Sequence, residues 1–272
     1  MVRLANVGFR LQKAAGDVCV REGATTGLLI DQIGAYAPGD RELVMTTLHM
    51  SQLPQVAGVP PESAAAKAGV EPGDDIVSVA GKTAQEFIDE DNKHGVVADA
   101  IENYLYSLPA DKPIKLQVLR GGKQMTFEIH PEQLCRSRFI LKTDSGLSAF
   151  SDGKDVAIGW KLIMFTQNDS ELALIVGHEL AHVAFDDEEA SGLKDRRAKE
   201  DRADLLGAAM AQCAGYNVQK GLAFWDRYNR QDMLRWFRNP SHRNVRSRVK
   251  LIAASIAVPH SCPPDRALFV NK

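Results

Sequence analysis

The segment 168–185 constrains the fold most, because its residues predict a single helix with an identifiable N-terminal cap. Asn168 can cap its first turn, and Glu171, three residues later, can complete a capping box. Residues four apart lie one above the other on a helix, so His178 and His182 present two imidazoles from the same face. The sequence therefore predicts a helix that offers two nitrogen ligands to a single ion.

The spacing of these two histidines is the one that zinc requires. Glu179 lies one residue past the first histidine, about 100° around the helix, so it can reach a metal-bound water without ligating the metal. Zinc lowers the pKa of its bound water to about 7, and a neighbouring carboxylate can accept the proton and later pass it to a leaving amine. Glu179 is therefore the candidate general base.

A third ligand is predicted in the segment 199–207, which follows a polar connection and reads as a returning helix. Glu200 can face the two histidines and leave the fourth position of a catalytic zinc open to water. Asp204 can accept a hydrogen bond from the far nitrogen of a ligating histidine, which fixes the tautomer. The apolar residues after Asp204 favour this interpretation over a solvated helix face. The acidic run 186–189, in contrast, is expected to be a solvated face.

Length and charge limit the class of protein. The 272 residues are enough for one large domain or two ordinary ones, and 44% hydrophobic residues can fill their cores. The 35 acidic and 33 basic residues give a net charge of -2, so no global field attracts nucleic acid or an anionic membrane. Protein or peptide partners are therefore expected. The sequence does not indicate an oligomeric state.

The sequence contains no stretch of about 20 consecutive apolar residues, so no transmembrane helix is predicted. The residues from Met1 to Cys19 lack the unbroken apolar region of a usual signal peptide. Two locations follow: the cytoplasm, or an exported location with the signal absent from this sequence.

The four cysteines, Cys19, Cys135, Cys213 and Cys262, are far apart and form no Cys-x-x-Cys pair, which argues against a structural zinc knuckle. An even number fits two disulfides with three possible connectivities. Four buried free thiols in a cytosolic protein are the alternative.

Turn signals in the first half indicate a small mixed module between residues 22 and 130. Ser63 can cap a short alanine-rich helix, and Gly69 can end it in the left-handed conformation. A Pro-Gly-Asp turn at 72–74 precedes a short apolar strand. The segment 84–108 reads as helical with a break at Gly95.

Further along, apolar residues alternate with polar ones on both sides of Gly121-Gly122, which predicts a β-hairpin with a two-residue loop. This order of elements resembles a bacterial PDZ domain, most specifically over residues 60–82. No segment between residues 27 and 55 stands out as a carboxylate-binding loop. The module is therefore expected either to bind peptide tails or to serve as a scaffold.

The second half resembles a known family. HELAH at 178–182 and EDRAD at 200–204 are similar to the motifs of gluzincin metallopeptidases related to HtpX, the Oma-type proteases and the CAAX prenyl proteases. The resemblance spans roughly residues 135–252 and includes SAFSDG at 148–153, similar to the strand and turn before the active-site helix. It implies one zinc ion per chain held by His178, His182 and Glu200, with Glu179 catalytic. The members without membrane helices are mostly exported from bacteria, so the resemblance also favours a periplasmic location.

The family often has a His-Pro-Ser-like segment followed by arginine near its C-terminal end, and this chain has NPSH at 239–242. His242 is therefore a candidate oxyanion donor or gating ligand, or a surface histidine. Arg246 and Arg248 are candidates to anchor a substrate carbonyl or, more simply, to pair with the acidic run 186–189.

These patterns together predict an α+β protein. An N-terminal helical segment (1–21) and a PDZ-like β-rich domain (22–130) precede a mainly helical zinc metallopeptidase domain with a short β-sheet (131–272). The expected function is zinc-dependent cleavage of unfolded or damaged proteins, with the substrate adding as a strand to an edge at 154–159. A latent-zinc binding or chaperone-like protein without peptidase activity is the alternative.

Overall fold

The computed structural model describes residues 1–90, 96–143, 146–187, 191–231, 243–258 and 260–270. The chain is α+β, as its sequence predicts. The helices are α1 Val2–Ala15, α2 Arg41–Leu48, α3 Ala64–Ala68, α4 Ala84–Glu90, α5 Val97–Ser107, α6 Trp160–Phe165, α7 Asp169–Phe185, α8 Leu193–Cys213, α9 Val218–Gly221, α10 Ala223–Gln231, α11 Val245–Ile256 and α12 Ala267–Val270. The strands are β1 Glu22–Thr25, β2 Leu29–Asp31, β3 Gln55–Gly58, β4 Asp75–Val79, β5 Lys82–Thr83, β6 Ile114–Arg120, β7 Lys123–Ile129, β8 Glu132–Cys135, β9 Phe139–Lys142, β10 Ala149–Ser151 and β11 Val156–Gly159.

The largest sheet lies in the first half of the chain, in the order β2-β3-β4-β6-β7, with β5 paired to β4. Its β6–β7 hairpin closes at Arg120 and Lys123, and both loop glycines have positive φ, as a two-residue hairpin loop requires. Ser63 accepts a hydrogen bond from the Ala66 N–H at the start of α3, and Gly69 ends that helix with φ 88°. The chain also turns at residues 72–73, where Gly73 has a φ of 93°. The predicted cap, turn and hairpin are therefore confirmed.

The helix predicted over 84–108 is divided into α4 and α5. Gly95, the predicted break, lies outside the described residues. α5 packs its apolar face, Val97, Ile101 and Leu105, on the large sheet.

Two hydrophobic cores organise the chain. One lies between the large sheet, α3 and α5. The other surrounds α7 and α8, and it includes Leu4, Val7 and Leu11 of the N-terminal helix α1. The N-terminal helix therefore packs with the helical second half of the chain. A two-stranded sheet, in which β1 pairs with β8, also connects the two halves.

A three-stranded sheet in the order β10-β11-β9 lies next to the helical core. β11 pairs antiparallel with β10 and parallel with β9, so both of its edges are occupied. The prediction that residues 154–159 form a free edge is therefore wrong. Period-2 apolar patterning identifies a strand, but the order of strands depends on tertiary pairing.

The central helix α7 begins as its sequence predicts, because the Asn168 side chain accepts a hydrogen bond from the Glu171 N–H. The Glu171 carboxylate accepts in return from the Gln167 N–H and pairs with Arg227. α8 begins at Leu193, earlier than the predicted residue 199, so it is longer than its apolar part indicates.

Both cysteine pairs form disulfides, Cys19–Cys135 and Cys213–Cys262. The first joins the segment after α1 to β8, and the second joins the end of α8 to the C-terminal segment. Of the two alternatives that the sequence leaves open, two disulfides or four free thiols, the structure has the disulfides. Among the described residues, no helix is both long and apolar enough to span a membrane.

Candidate metal centre

The site forms where α7 and α8 cross. At the crossing, a Cβ placed on Gly207 would lie 2.6 Å from the backbone nitrogen of His178, and one on Gly177 would lie 2.8 Å from the carbonyl oxygen of Gly207. The two backbones are therefore in direct contact. Because α8 runs back along α7, this close approach brings Glu200 and Asp204 beside the histidines.

Three ligand atoms converge on one point. His178 Nε2 lies 3.3 Å from His182 Nε2, and Glu200 Oε2 lies 3.2 Å from the first nitrogen and 3.6 Å from the second. His178 is buried, and the other two side chains are partly buried. The structure thus brings together the three residues that the sequence singles out as ligands.

The opposite ring nitrogens also have partners. His178 Nδ1 lies 2.9 Å from Asp204 Oδ1, and His182 Nδ1 lies 2.9 Å from Asp187 Oδ2. Carboxylates only accept hydrogen bonds, which assigns the hydrogen of each neutral ring to Nδ1 and the lone pair to Nε2. Both histidines therefore have their Nε2 lone pairs directed at the Glu200 carboxylate.

Two predictions about the surrounding charges are wrong. Asp187 is not a solvated residue: its side chain is only 8% exposed, and it bonds His182 and Arg202. Arg248 pairs with Asp204 instead of with Asp186 or Asp187, the described residues of the acidic run. It is buried, makes a bidentate contact with Asp204, and lies with its guanidinium 3.9 Å from the centre of the Trp225 ring. Sequence spacing does not predict these contacts, because each of them joins two separate segments of the chain.

The electrostatics of the site favour a positive charge at its centre. Burial alone would lower the pKa of His178, but Asp204 and Glu200 accept hydrogen bonds from the protonated ring, which outweighs burial and raises that pKa. Burial would raise the pKa of Asp204, yet Arg248 and His178 hold it well below the usual range. Three converging lone pairs beside these carboxylates form a group that can hold a metal cation.

The remaining candidates occupy different positions. Glu179 is partly exposed on α7, and its charge is close enough to raise the pKa of His178. Arg246 is exposed on α11. His242 lies outside the described residues.

A separate pocket of about 70 Å³ lies between the two cores. Its walls come from α1, from the segment before β2, from α5 and from the start of β9. Glu102 lines it and accepts a hydrogen bond from the Ile30 N–H on the edge strand β2. Burial raises the pKa of Glu102 to about 8, against the opposing effects of this hydrogen bond and of Arg138. This pocket is not predicted from the sequence, where the Gly27 turn before a short strand is its one local sign.

Solved structures similar to the chain include the HtrA3 PDZ domain bound to the phage-derived ligand FGRWV, at 22% identity and a TM-score of 0.29 over 42% of this chain and 87% of that one. The HtrA-type protease AlgW with a decapeptide matches at 20% identity and a TM-score of 0.31, over 41% of this chain and 30% of that one. The serine endoprotease from Yersinia pestis matches at 26% identity and a TM-score of 0.24, over 30% and 26%. This chain therefore spans less than a third of either protease.

The sequence model of peptidase family M48 matches residues 124–194, a segment that contains the two histidines of α7 and Glu179. No curated protein sequence matches the chain significantly. The matched segment ends before Glu200, which the fold brings back to the histidines through α8. The M48 match and the His-His-Glu group together support a metallopeptidase.

Proposed function

We propose that the chain is a zinc-dependent endopeptidase that cleaves unfolded or damaged proteins, related to the HtpX, Oma-type and CAAX prenyl proteases. One observation carries the proposal: the mutual distances of 3.2, 3.3 and 3.6 Å among the three ligand atoms. Tetrahedral zinc with ligand bonds of about 2.0–2.2 Å requires ligand atoms about 3.3–3.6 Å apart. The donor set of two imidazoles and one carboxylate is also the one that zinc takes in catalytic sites.

His178, His182 and Glu200 would hold the metal, leaving a fourth position for water. A bound zinc ion would supply a lowered pKa for that water and polarisation of the scissile carbonyl. Glu179 accepts the proton of the attacking water and delivers it to the leaving amine. Asp204 keeps the hydrogen of His178 on Nδ1, so that Nε2 stays available to the metal.

The substrate strand is assigned to β10 rather than to β11. β10 is an outer strand of the three-stranded sheet and contacts α7, the helix that carries Glu179. An extended polypeptide that adds to this edge satisfies its backbone hydrogen bonds without a sequence requirement, which suits unfolded substrates. Phe150 on β10 is 43% exposed and offers an apolar contact to the side chains of such a substrate.

The variant Glu179→Gln tests the function. It keeps the shape of the side chain but removes the base, so one zinc ion per chain should remain bound while kcat/KM for an unfolded protein such as casein falls by about 10²–10⁴. Metal analysis and a cleavage assay measure both quantities, and chelator-treated wild type is the control.

Two results of this experiment contradict parts of the proposal. Undiminished cleavage by Glu179→Gln would show that another group is the base. A wild-type protein that holds zinc and cleaves nothing would instead favour the latent-zinc binding or chaperone-like alternative.

The division into a helical segment (1–21), a PDZ-like domain (22–130) and a peptidase domain (131–272) is part of the proposal. The PDZ-like domain would recruit substrate tails or gate the cleft. The pocket beside β2 and α5 supports recruitment, because an edge strand next to a helix can accept an extended peptide. Removal of residues 1–130 would not test this, since α1 forms part of the core around α7.

Recruitment is tested instead by Leu28→Glu, which places a charge on the apolar wall of the pocket. We expect a higher KM for protein substrates and an unchanged kcat, with cleavage of a short peptide unaffected. Leu43→Glu, on the exposed face of α2, is the matched control. An unchanged KM for every substrate would remove the recruitment role.

An exported, periplasmic location is also proposed. Two disulfides are compatible with an oxidising compartment, since such bonds are rare in the cytosol. Cell fractionation with antibody detection tests the location, and recovery only in the cytosolic fraction would contradict it.

A further inference from the structure

We infer that Asp187 is a positioning residue of the metal centre, which holds His182 in its ligating orientation and is itself held by Arg202. The inference rests on the proposed zinc site. It gives His182 an orienting carboxylate of its own, equivalent to the one that Asp204 supplies to His178.

The end of α7 places Asp187 beside His182. Asp186 adopts the left-handed conformation with φ 54° and donates its N–H to the Val183 carbonyl, and Asp187 donates its N–H to the His182 carbonyl at 3.0 Å. This is a Schellman motif, in which the residue after the left-handed one lies next to the residue five positions earlier. An apolar contact between these two side chains frequently accompanies the motif. Here a hydrogen bond replaces it.

Both oxygens of the Asp187 carboxylate are in use. Oδ2 lies 2.9 Å from His182 Nδ1, and Oδ1 accepts a hydrogen bond from Arg202 on α8. The Arg202 guanidinium lies 4.4 Å from the centre of the Phe185 ring, which limits its movement. The carboxylate is therefore fixed from α7 through its backbone and from α8 through its side chain.

Asp187 determines both the tautomer of the His182 ring and the direction in which the ring points. With the hydrogen of His182 held on Nδ1, the Nε2 lone pair is fixed 3.6 Å from Glu200 Oε2 and 3.3 Å from His178 Nε2. Without Asp187, the ring can rotate or place its hydrogen on Nε2, and either change removes a metal ligand. Orienting partners of this kind typically contribute about 10–100-fold to metal affinity.

The test measures the zinc dissociation constant of the full chain by competition with a chromogenic chelator. We expect Asp187→Ala to raise the Kd about 10–100-fold. Asp187→Asn should give a smaller rise, because its amide oxygen can still accept from Nδ1–H. The visible spectrum of the cobalt-substituted protein should change in Asp187→Ala as the coordination geometry is altered.

Asp186→Asn is the matched control. It removes one negative charge at the neighbouring residue and keeps a side chain that tolerates the left-handed conformation. Among the described residues, the side-chain contact that it changes is the ion pair with Arg21. Its Kd and cobalt spectrum should equal those of the wild type. If its Kd rises as much as that of Asp187→Ala, local charge rather than the hydrogen bond is responsible and the inference is wrong.

Other outcomes separate this inference from the proposed function. A wild-type chain that binds no zinc overturns the proposed function, and the inference with it. A wild-type chain that binds one zinc, together with a folded Asp187→Ala of unchanged Kd, overturns the inference alone. If Asp187→Ala does not fold, Asp187→Leu replaces it, since leucine also lacks an acceptor and suits the apolar contact that often accompanies this motif. A wild-type Kd in folded Asp187→Leu has the same meaning.

Discussion

At the scale of residues, two carboxyl groups of this chain differ in their environments. Asp204 is buried but accepts from Arg248 and contacts His178, so its pKa lies well below the usual range. The Glu102 carboxylate accepts a hydrogen bond from the Ile30 N–H, and the charge of Arg138 acts on it as well. Burial therefore dominates and raises the pKa of Glu102 to about 8.

The raised pKa of Glu102 predicts a stability that depends on pH. Between the ordinary value of 4.5 and about 8, the folded chain keeps a proton that the unfolded chain releases, so folding is progressively less favourable as pH rises through this window. Glu102→Gln removes the titration and keeps an acceptor for the Ile30 N–H. We expect it to raise the free energy of unfolding by about 1–3 kcal/mol at pH 9. This is less than the full pKa shift would give, because water that reaches the pocket wall screens the Glu102 charge.

Denaturant unfolding at pH 4 and pH 9 measures this effect. The difference between Glu102→Gln and wild type should largely vanish at pH 4, where the unfolded chain is protonated too. Glu128→Gln, on the exposed face of β7, controls for the loss of one carboxyl group. An equal difference at both pH values would contradict the assignment.

At the scale of elements, the contact of α7 with α8 determines the geometry of the metal centre. Gly177 and Gly207 let the two backbones touch, and the ligands on α8 reach those on α7 only at this separation. Glycine costs about 1 kcal/mol relative to alanine within a helix, so the close crossing outweighs a local preference.

Gly207→Ala tests the crossing. Alanine gains about 1 kcal/mol of helix propensity, but its Cβ would meet backbone atoms of α7 that cannot rotate away. Overpacking typically costs about 1–3 kcal/mol, occasionally more, so we expect a net loss of stability together with weaker zinc binding. Thermal unfolding and chelator competition measure the two effects.

Gly192→Ala is the comparison variant for this experiment. A Cβ at Gly192, at the start of α8, meets nothing within 4 Å, and its φ of 169° is extended backbone that alanine adopts. We expect wild-type zinc binding and a stability equal to or slightly below that of the wild type, because Gly192 is the N-cap of α8 and alanine is the poorer N-cap residue. Equal behaviour of the two alanine variants would show that the separation of the helices is not critical.

At the scale of the whole molecule, the two disulfides fix segments that pack against the end of α7. The segment after Cys19 donates the Val20 N–H to the Ala184 carbonyl, and the segment after Cys262 brings Arg266 to the same carbonyl. Each disulfide therefore holds a segment that contacts the C-terminal end of α7, the helix that carries His182.

The two disulfides should differ in their reaction with reductant. Cys19 and Cys135 are buried, whereas Cys213 is partly exposed and Cys262 is exposed. A thiolate must reach the sulfur to exchange with it, so we expect mild reductant to open Cys213–Cys262 first. Alkylation followed by peptide mass measurement gives the order. Labelling of Cys19 and Cys135 first, in a chain that remains folded, would contradict this expectation.

Removal of either disulfide should cost stability, and the cost grows with the logarithm of the length of the loop that the bond closes. The bonds span 116 and 49 residues, and the chain-entropy model assigns the longer loop about 0.8 kcal/mol more. Denaturant unfolding of Cys19→Ser/Cys135→Ser and Cys213→Ser/Cys262→Ser measures the difference. The buried pair should show the greater loss, because its removal also leaves a gap in the core around α7.

The local chemistry of the sequence determined the α+β class, the start of α7, the β6–β7 hairpin and the candidate ligands, because capping, turn residues and helical spacing act within a few positions. Tertiary structure decided the order of β10, β11 and β9, the partner of Arg248 and the burial of Asp187. Each of these depends on contacts between elements far apart in the chain. Sequence periodicity says which face of an element is apolar, but it does not say which other element covers that face.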